Sequence, residues 1–298
     1  MTSQHGTISS QQAFIQERRY LKGGSPKTVS WYQQSFKAFE GALPQPVGCD
    51  PATCKESIMI RIAELRDRGV SAISVNTYLC CVNAYFRWLY TERGEPLVRI
   101  PKLRMESKVL TTFSPQDIAR LASYKPAGRS KRRLQTMVLT ALDTGLRIGE
   151  LLRLRRSDVD LDNLILRAMG KGSKERLVPM SIELRRVLYR WLQMLRDVQA
   201  SALVFSTARG NGLGQRNVLP DLKLLCRESG IRGEVRASFH TFRHTFAVNY
   251  LRKGGNVLYL QRILGHSTLE MTNRYLRSLG IEDLKAVHNG LSILSANR

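Results

Sequence analysis

The sequence predicts a mainly α protein with one small antiparallel β-sheet, divided into two domains. Three observations predict it. Both halves open on a Ser-Pro helix start, Ser25-Pro26 and Ser114-Pro115, followed by apolar residues at three- and four-residue steps. Residues 158–180, "DVDLDNLILRAMGKGSKERLVPM", lose that period and read as an Asp-rich turn, a short strand, a glycine-flanked turn and a strand. Between the halves, residues 94–113, "GEPLVRIPKLRMESKVLTTF", mix Gly, Pro and basic residues without helical period, the composition of an extended linker.

Taken in order, a short helix is expected before Ser25. A second runs through "KTVSWYQQSFKAFEGAL", where Val29, Tyr32, Phe36 and Phe39 recur at helical steps until "LPQPVGCDP" breaks it. "ATCKESIMIRIAELRDRGV" gives a third, and "SVNTYLCCVNAYFRWLYTERG" a fourth with an apolar face of Leu79, Val82, Tyr85, Phe86 and Leu89. The resulting domains are 1–95, helical; 96–112, a basic linker; and 113–298. In the last, "SPQDIARLASY" and "RRLQTMVLTALDTG" are helices, the second ended by Gly145. Helices resume at Ser181 after the sheet, "ALVFSTARG" reads as a brief strand or buried connector, and the final hundred residues are largely helical.

The charge is the informative total. The chain has 298 residues, 47 of them Lys or Arg against 24 Asp or Glu, a formal net of +23. Residues 1–107 hold 14 basic and 9 acidic side chains, a net of +5, and residues 108–298 hold 33 and 15, a net of +18. Such an excess favours a polyanionic partner, nucleic acid first, with the phosphate contacts concentrated in the C-terminal part. No apolar run reaches the length of a membrane span, and "MTSQHGTISSQQAF" lacks the basic-then-apolar build of a signal peptide, so a soluble, cytoplasmic protein is expected. Cys49, Cys54, Cys80, Cys81 and Cys226 form no paired ligand spacing and are expected to be reduced thiols.

Four segments could carry chemistry. In "SFHTFRHTFAVNYLRKGG", Phe239, Phe242, Phe246 and Tyr250 form a stripe with Arg243 at its edge and His240 on the adjoining face. A guanidinium held against an apolar face requires an anion, either a distant carboxylate or an external ligand, because the segment has no acidic residue. His240 and His244 share the i, i+4 spacing of a helical zinc pair, but Thr241 stands where a metalloprotease needs Glu and no third ligand is signalled; no metal is expected. In "DTGLRIGELLRLRRSD", Arg147 opens a helix after Gly145, with Glu150 as a possible local partner. "GKGSKERLVP" lifts Lys171 on a turn between strands, a solvated or projecting cation. In "LGHSTLEMTNRYLRS", Gly265 ends a helix, Ser267-x-x-Glu270 has capping-box spacing, His266 sits in the junction, and Tyr275 lies two turns on. Tyr275 alone reads as core packing. Together with phosphate-directed arginines and a histidine it suggests a hydroxyl that attacks a phosphodiester and is held as a covalent phosphotyrosine.

Those segments, in that order and over essentially the whole chain, resemble the tyrosine recombinase (phage integrase) superfamily, close to its short Xer-type members. The matching pieces are "TGLRIGEL", "GKGSKERLVP", "HTFRHTFA" and "LGHSTLEMTNRYL". The resemblance implies a two-domain C-shaped DNA clamp, with a SAM-like helical core-binding domain ahead of the catalytic domain. It implies Tyr275 as nucleophile, Arg147 and Arg243 on the scissile phosphate, Lys171 as acid for the departing 5′ oxygen, His240 as general acid/base and His266 as a hydrogen-bond donor, without cofactor. It further implies double-stranded DNA with an inverted-repeat core site, a homo-tetramer exchanging C-terminal helices, and a Holliday-junction intermediate in integration, excision or dimer resolution. The tail pattern Ile281, Leu284, Val287, Leu291 fits such docking or docking on its own domain. A second recombinase or an accessory DNA-bending protein, nucleoid association, a type IB topoisomerase-like activity and a non-catalytic DNA-binding protein of the same fold stay open as readings.

Overall fold

The computed structural model describes residues 9–43, 50–105, 111–170, 175–195, 199–231, 233 and 235–291. The chain forms two compact units, Met1–Ser107 and Lys108–Arg298. The architecture is mainly helical with one three-stranded antiparallel sheet, as the periodicity predicts.

The first unit contains α1 (Ser10–Tyr20), α2 (Pro26–Ala38), α3 (Pro51–Asp67) and α4 (Ala72–Arg93). Each starts where an oxygen-bearing side chain can take up an orphan amide: Ser9, Ser25, Asp50 and Ser71 all accept from a backbone N–H in the first turn. Phe14 is fully buried, and the rings of Tyr32, Phe36, Tyr85 and Trp88 meet it edge-on at 5.0–5.9 Å. All five residues of the expected apolar face of α4 are buried. The chain that follows is extended and is gripped by two asparagines of α4. Asn83 exchanges two hydrogen bonds with the main chain of Ile100 (2.8 and 3.0 Å), and Asn76 does the same with Leu103 (2.8 and 2.9 Å). Val98 and Ile100 thereby enter the first core, a contact that the Gly/Pro composition does not announce. Cys80, Cys81 and Cys226 are free thiols. The all-reduced expectation fails at Cys54, which is disulfide-bonded.

The second unit contains α5 (Pro115–Ser123), α6 (Gly128–Thr144), the single turn α7 (Ile148–Leu151), β1 (Val159–Asp160), β2 (Ile165–Met169), β3 (Glu175–Pro179), α8 (Ile182–Gln193), α9 (Gln215–Glu228), α10 (Phe239–Arg252), α11 (Val257–Leu264), α12 (Glu270–Leu276) and α13 (Ile281–Leu291). The strands run in the order β1-β2-β3, with Leu166 opposite Val178 and Ala168 opposite Arg176. Leu166, Ala168 and Val178 turn into the core while Arg167, Met169, Glu175 and Leu177 face out. The two-residue β1 is too short for sequence alternation to reveal. The segment around Val204 and Phe205 is a buried connector with isolated bridges, Arg155 to Leu203 and Ser206 to Gly212.

Helix α10 positions the site. It is buried on most of its circumference, with Thr241, Phe242, Arg243, His244, Thr245, Ala247, Val248 and Leu251 all inside. The predicted aromatic stripe describes only part of it, since Phe246 and Tyr250 are half-buried. The expected capping box ahead of α12 does not form. The helix begins at Glu270 itself with Leu269 as N-cap, so Glu270 is too early to be the third helical residue, and the Ser267 hydroxyl turns to Met271 Sδ at 3.6 Å. On α13, Ile281 and Leu284 are 65% and 53% exposed, and Asp283 pairs with Arg252 of α10 at 3.0 Å; the side chain of Leu291 lies outside the described residues. Among the described residues no helix is long and apolar enough to cross a membrane.

Candidate active site

Two glycines shape the site before any charged side chain does. Gly145 closes α6 and Gly265 closes α11, both in the left-handed conformation (φ +66° and +64°), where a side chain is strained. The turn at Gly145 delivers Arg147 to the start of α7, and the turn at Gly265 delivers His266. Helix α10 runs between them and carries Arg243.

Arg243 is 2% exposed, and no carboxylate among the described residues hydrogen-bonds to it. Its Nη1 donates to the Gly145 carbonyl (2.7 Å) and its Nη2 to the Leu264 carbonyl (2.7 Å), so both helix ends lend it their unpaired acceptors. Burial and then the nearby charge of Arg147 depress its pKa to about 10. Arg147 donates to the same Leu264 carbonyl (3.3 Å) and to that of Gly265 (3.4 Å). Two guanidiniums thus converge on one acceptor, one of them buried and the other, Arg147, with its side chain 39% exposed. Like charges packed this way are stabilised by an anion arriving between them.

Glu150 fixes that geometry. It accepts a bidentate pair from Arg176 (both 2.8 Å), one bond from the Arg147 side chain (3.0 Å) and one from the Arg147 backbone N–H (2.8 Å). Burial alone would raise its pKa; the bonds and charge of Arg176, then those of Arg147, more than offset this and hold it below the usual carboxylate range. Arg176 also donates from Nε to the Ile263 carbonyl (2.8 Å), so β3 is tied to α7 and α11. The local Arg147–Glu150 pair foreseen from spacing exists, but Arg176 is the larger partner. Its guanidinium reaches across elements, which no local spacing encodes.

His266 lies 3.0 Å from Arg243 Nη2 through Nε2 and 2.8 Å from the Thr272 hydroxyl through Nδ1. A guanidinium can only donate, so Nε2 accepts and the ring proton sits on Nδ1. Burial first, then Arg243 and Arg147, push its pKa down to about 3. His244 is likewise pushed down to about 3, by burial, then by His240 and Arg274. His240 is exposed on the first turn of α10; desolvation of its ring and the charges of Arg274 and Arg243 lower its pKa too. The His240 and His244 rings are 4.2 Å apart.

Tyr275 is fully buried. Its ring packs with Ala247, Val248, Leu251, Leu260 and Leu264, so the plain reading of a core tyrosine also holds. It nevertheless stacks on His266 (6.1 Å, 16°) and lies 5.4 Å from His244, and Arg274 Nη2 donates to its hydroxyl at 3.2 Å. The structure therefore brings Arg147, Arg243, His266 and Tyr275 into one cluster, with His240 reaching it through His244. Lys171 lies outside the described residues. Arg176, His244 and Arg274 join the cluster without having been singled out for it.

Two guanidiniums that converge on one carbonyl beside a tyrosine, one of them buried, are chemically suited to a phosphate, the ligand class that the sequence suggests. Comparison with known proteins narrows this. Residues 111–280 match the phage integrase family and residues 12–93 match the phage integrase N-terminal SAM-like domain. The chain belongs to the phage integrase family of tyrosine recombinases. It is 32% identical over 263 residues to tyrosine recombinase XerA of Thermococcus kodakarensis (86% of either chain), and 29% identical over 278 residues to XerD of Pseudomonas putida (90% of this chain, 93% of the relative). In fold it is similar to the Tn1549 transposon integrase solved with transposon right end DNA (TM-score 0.75, 17% identity, 95% of this chain and 99% of that one). It is similar also to a lambda integrase dimer bound to a core site (TM-score 0.67, 18% identity, 91% and 95%).

Proposed function

We propose that the protein is a site-specific DNA recombinase that cuts and rejoins duplex DNA through a 3′-phosphotyrosine. The convergence of Arg147 and Arg243 on the Leu264 carbonyl, beside Tyr275, carries this reading. The two guanidiniums hold the nonbridging oxygens of the scissile phosphate, and their attraction grows as charge builds in the transition state. Tyr275 Oη forms a bond to phosphorus as the bond to the 5′ oxygen breaks; His240 takes the phenolic proton and Lys171 supplies one to the departing oxygen. When the phosphate draws Arg243 away, the neutral His266 ring changes tautomer: its proton moves from Nδ1 to Nε2, which donates to a phosphate oxygen, while Nδ1 accepts from the Thr272 hydroxyl. Attack by a 5′ hydroxyl from another strand reverses the chemistry and conserves the phosphodiester bond.

In this reading residues 1–95 form the core-binding domain, 96–112 the linker and 113–298 the catalytic domain. Four copies act on two inverted-repeat sites through a Holliday junction, at the nucleoid, to integrate or excise a mobile element or resolve a dimer. The exposed Ile281 and Leu284 of α13 support exchange of that helix between copies, with or without a partner recombinase or DNA-bending protein. The test is covalent trapping on a nicked suicide duplex bearing inverted repeats from beside the gene. A denaturant-resistant protein–DNA band is expected from the unaltered chain and none from Tyr275→Phe, which should still bind the duplex. A covalent band from Tyr275→Phe would falsify the nucleophile assignment. Binding without any band from the unaltered chain, on a good site, favours a non-catalytic DNA-binding protein.

A further inference from the structure

The residue preceding Tyr275 makes contacts that the scheme above leaves unused. Arg274 is exposed on α12, yet its Nη2 lies 3.2 Å from Tyr275 Oη and 3.5 Å from His244 Nδ1, and its guanidinium carbon is 5.0 Å from the centre of the Tyr275 ring. Neighbouring positions on a helix point roughly 100° apart and do not ordinarily meet, so this side chain has bent back across its own helix. Because a guanidinium has donors only, Tyr275 Oη and His244 Nδ1 must both be acceptors. His244 is 6% exposed and kept neutral by burial and by surrounding cations, which leaves its Nδ1 lone pair for Arg274.

We propose that Arg274 is a further catalytic residue. Its guanidinium donates to the phenolic oxygen and stabilises negative charge there, both as that oxygen attacks phosphorus and as it departs during resealing. His244 is the positioning residue that holds the guanidinium over the oxygen. The proposal rests on Tyr275 being the nucleophile. The proton and bond changes are those given above; Arg274 stays protonated throughout and adds only a fixed donor at an atom whose charge changes. The role differs from that of Arg147 and Arg243, which point at the phosphate. Arg274 serves the attacking and leaving group, where no other described donor reaches Oη.

Single-turnover cleavage of the suicide duplex at saturating protein tests this with Arg274→Ala, Arg274→Lys and His244→Gln. Loss of one preorganised donor is expected to slow cleavage by about 10²-fold for Arg274→Ala, with partial recovery in Arg274→Lys and a loss of about tenfold for His244→Gln. The Kd for DNA should stay within about threefold, since a charge-stabilising role appears in the rate and not in ground-state binding. A duplex with a 5′-bridging phosphorothiolate separates the two ends of the reaction. Its thiolate leaves without a proton, so it relieves a missing acid at the 5′ side but not a missing donor at the phenol. Arg274→Ala should remain slow on it. Cleavage within threefold of the unaltered rate on both duplexes overturns the proposal, as does recovery on the phosphorothiolate or a loss confined to Kd. An unaltered chain that binds but never forms covalent product overturns the parent reading instead.

Discussion

His244 and His266 show what burial among cations does to a single side chain, and the consequence reaches beyond the site. Both are neutral in the folded chain down to about pH 3, because burial and then neighbouring positive charge oppose protonation. In the unfolded chain each protonates near its ordinary value of 6.5. Between those values the unfolded state binds more protons, so stability falls as pH drops from about 6.5, with a slope approaching about 1.4 kcal/mol per pH unit for each histidine. Glu150 acts in the same direction but lower: its depressed pKa gives stability above the ordinary 4.5 that is lost only as pH falls below it. The window from about pH 5 to 6.5 therefore isolates the histidines. His240, whose pKa is also lowered, adds to the same slope, so urea midpoints across the window should fall steeply for the unaltered chain and less steeply, by one histidine's share, for His244→Gln. A flat profile would show that the rings are charged, or solvated, in the folded state. The candidate residues themselves were legible because spacing and residue type suffice to nominate an arginine, a histidine and a tyrosine. Their partners were not: Arg243 is served by the carbonyls of Gly145 and Leu264, and main-chain acceptors leave no trace in side-chain identity.

At the scale of elements, helix ends hold the site together more than helix faces do. Gly145 is the clearest case. Its left-handed φ of +66° ends α6, its carbonyl receives Arg243, and a Cβ placed on it would stand 2.5 Å from Phe246 Cδ1 and 2.7 Å from Leu264 Cδ2. Gly145→Ala combines backbone strain with overpacking and should cost about 2–4 kcal/mol. Single-turnover cleavage should drop with it, because the displaced carbonyl is what aims Arg243. Gly210→Ala is the control: it has a similar φ of +82° but open space around it, so only the conformational cost of about 1–2 kcal/mol is expected. Equal destabilisation by the two substitutions, in urea melts, would remove the packing part of this argument. The cap glycines, the Ser-Pro starts and the two longer strands could be read from sequence because each depends on a local backbone rule. The start of α12 could not, since Ser267 and Glu270 have capping-box spacing but the chain enters the helix two residues late. Nor could the near-complete burial of α10, which is decided by the elements around it.

For the molecule as a whole, the excess of +23 is distributed unequally between the two units, +5 in residues 1–107 and +18 in residues 108–298. Very little of the second figure is spent inside. Among the described arginines of that unit Arg243 is 2% exposed and Arg176 has a 13% exposed side chain, whereas Arg153, Arg185, Arg186 and Arg190 are exposed. A surface that releases counterions from six to ten phosphates loses about 10³–10⁵ in DNA affinity between 50 and 200 mM salt. That range is the expectation for this chain on its duplex, measured as log K against log salt concentration. Tyr275 contributes nothing to this slope, because it is buried and neutralises no phosphate. Tyr275→Phe should therefore give a line parallel to that of the unaltered chain, even though it forms no covalent product. A loss of less than about tenfold over that range would mean that the basic surface faces something other than a phosphate backbone. In that case the site could still bind an anion, but the charge of the second unit would need a different partner.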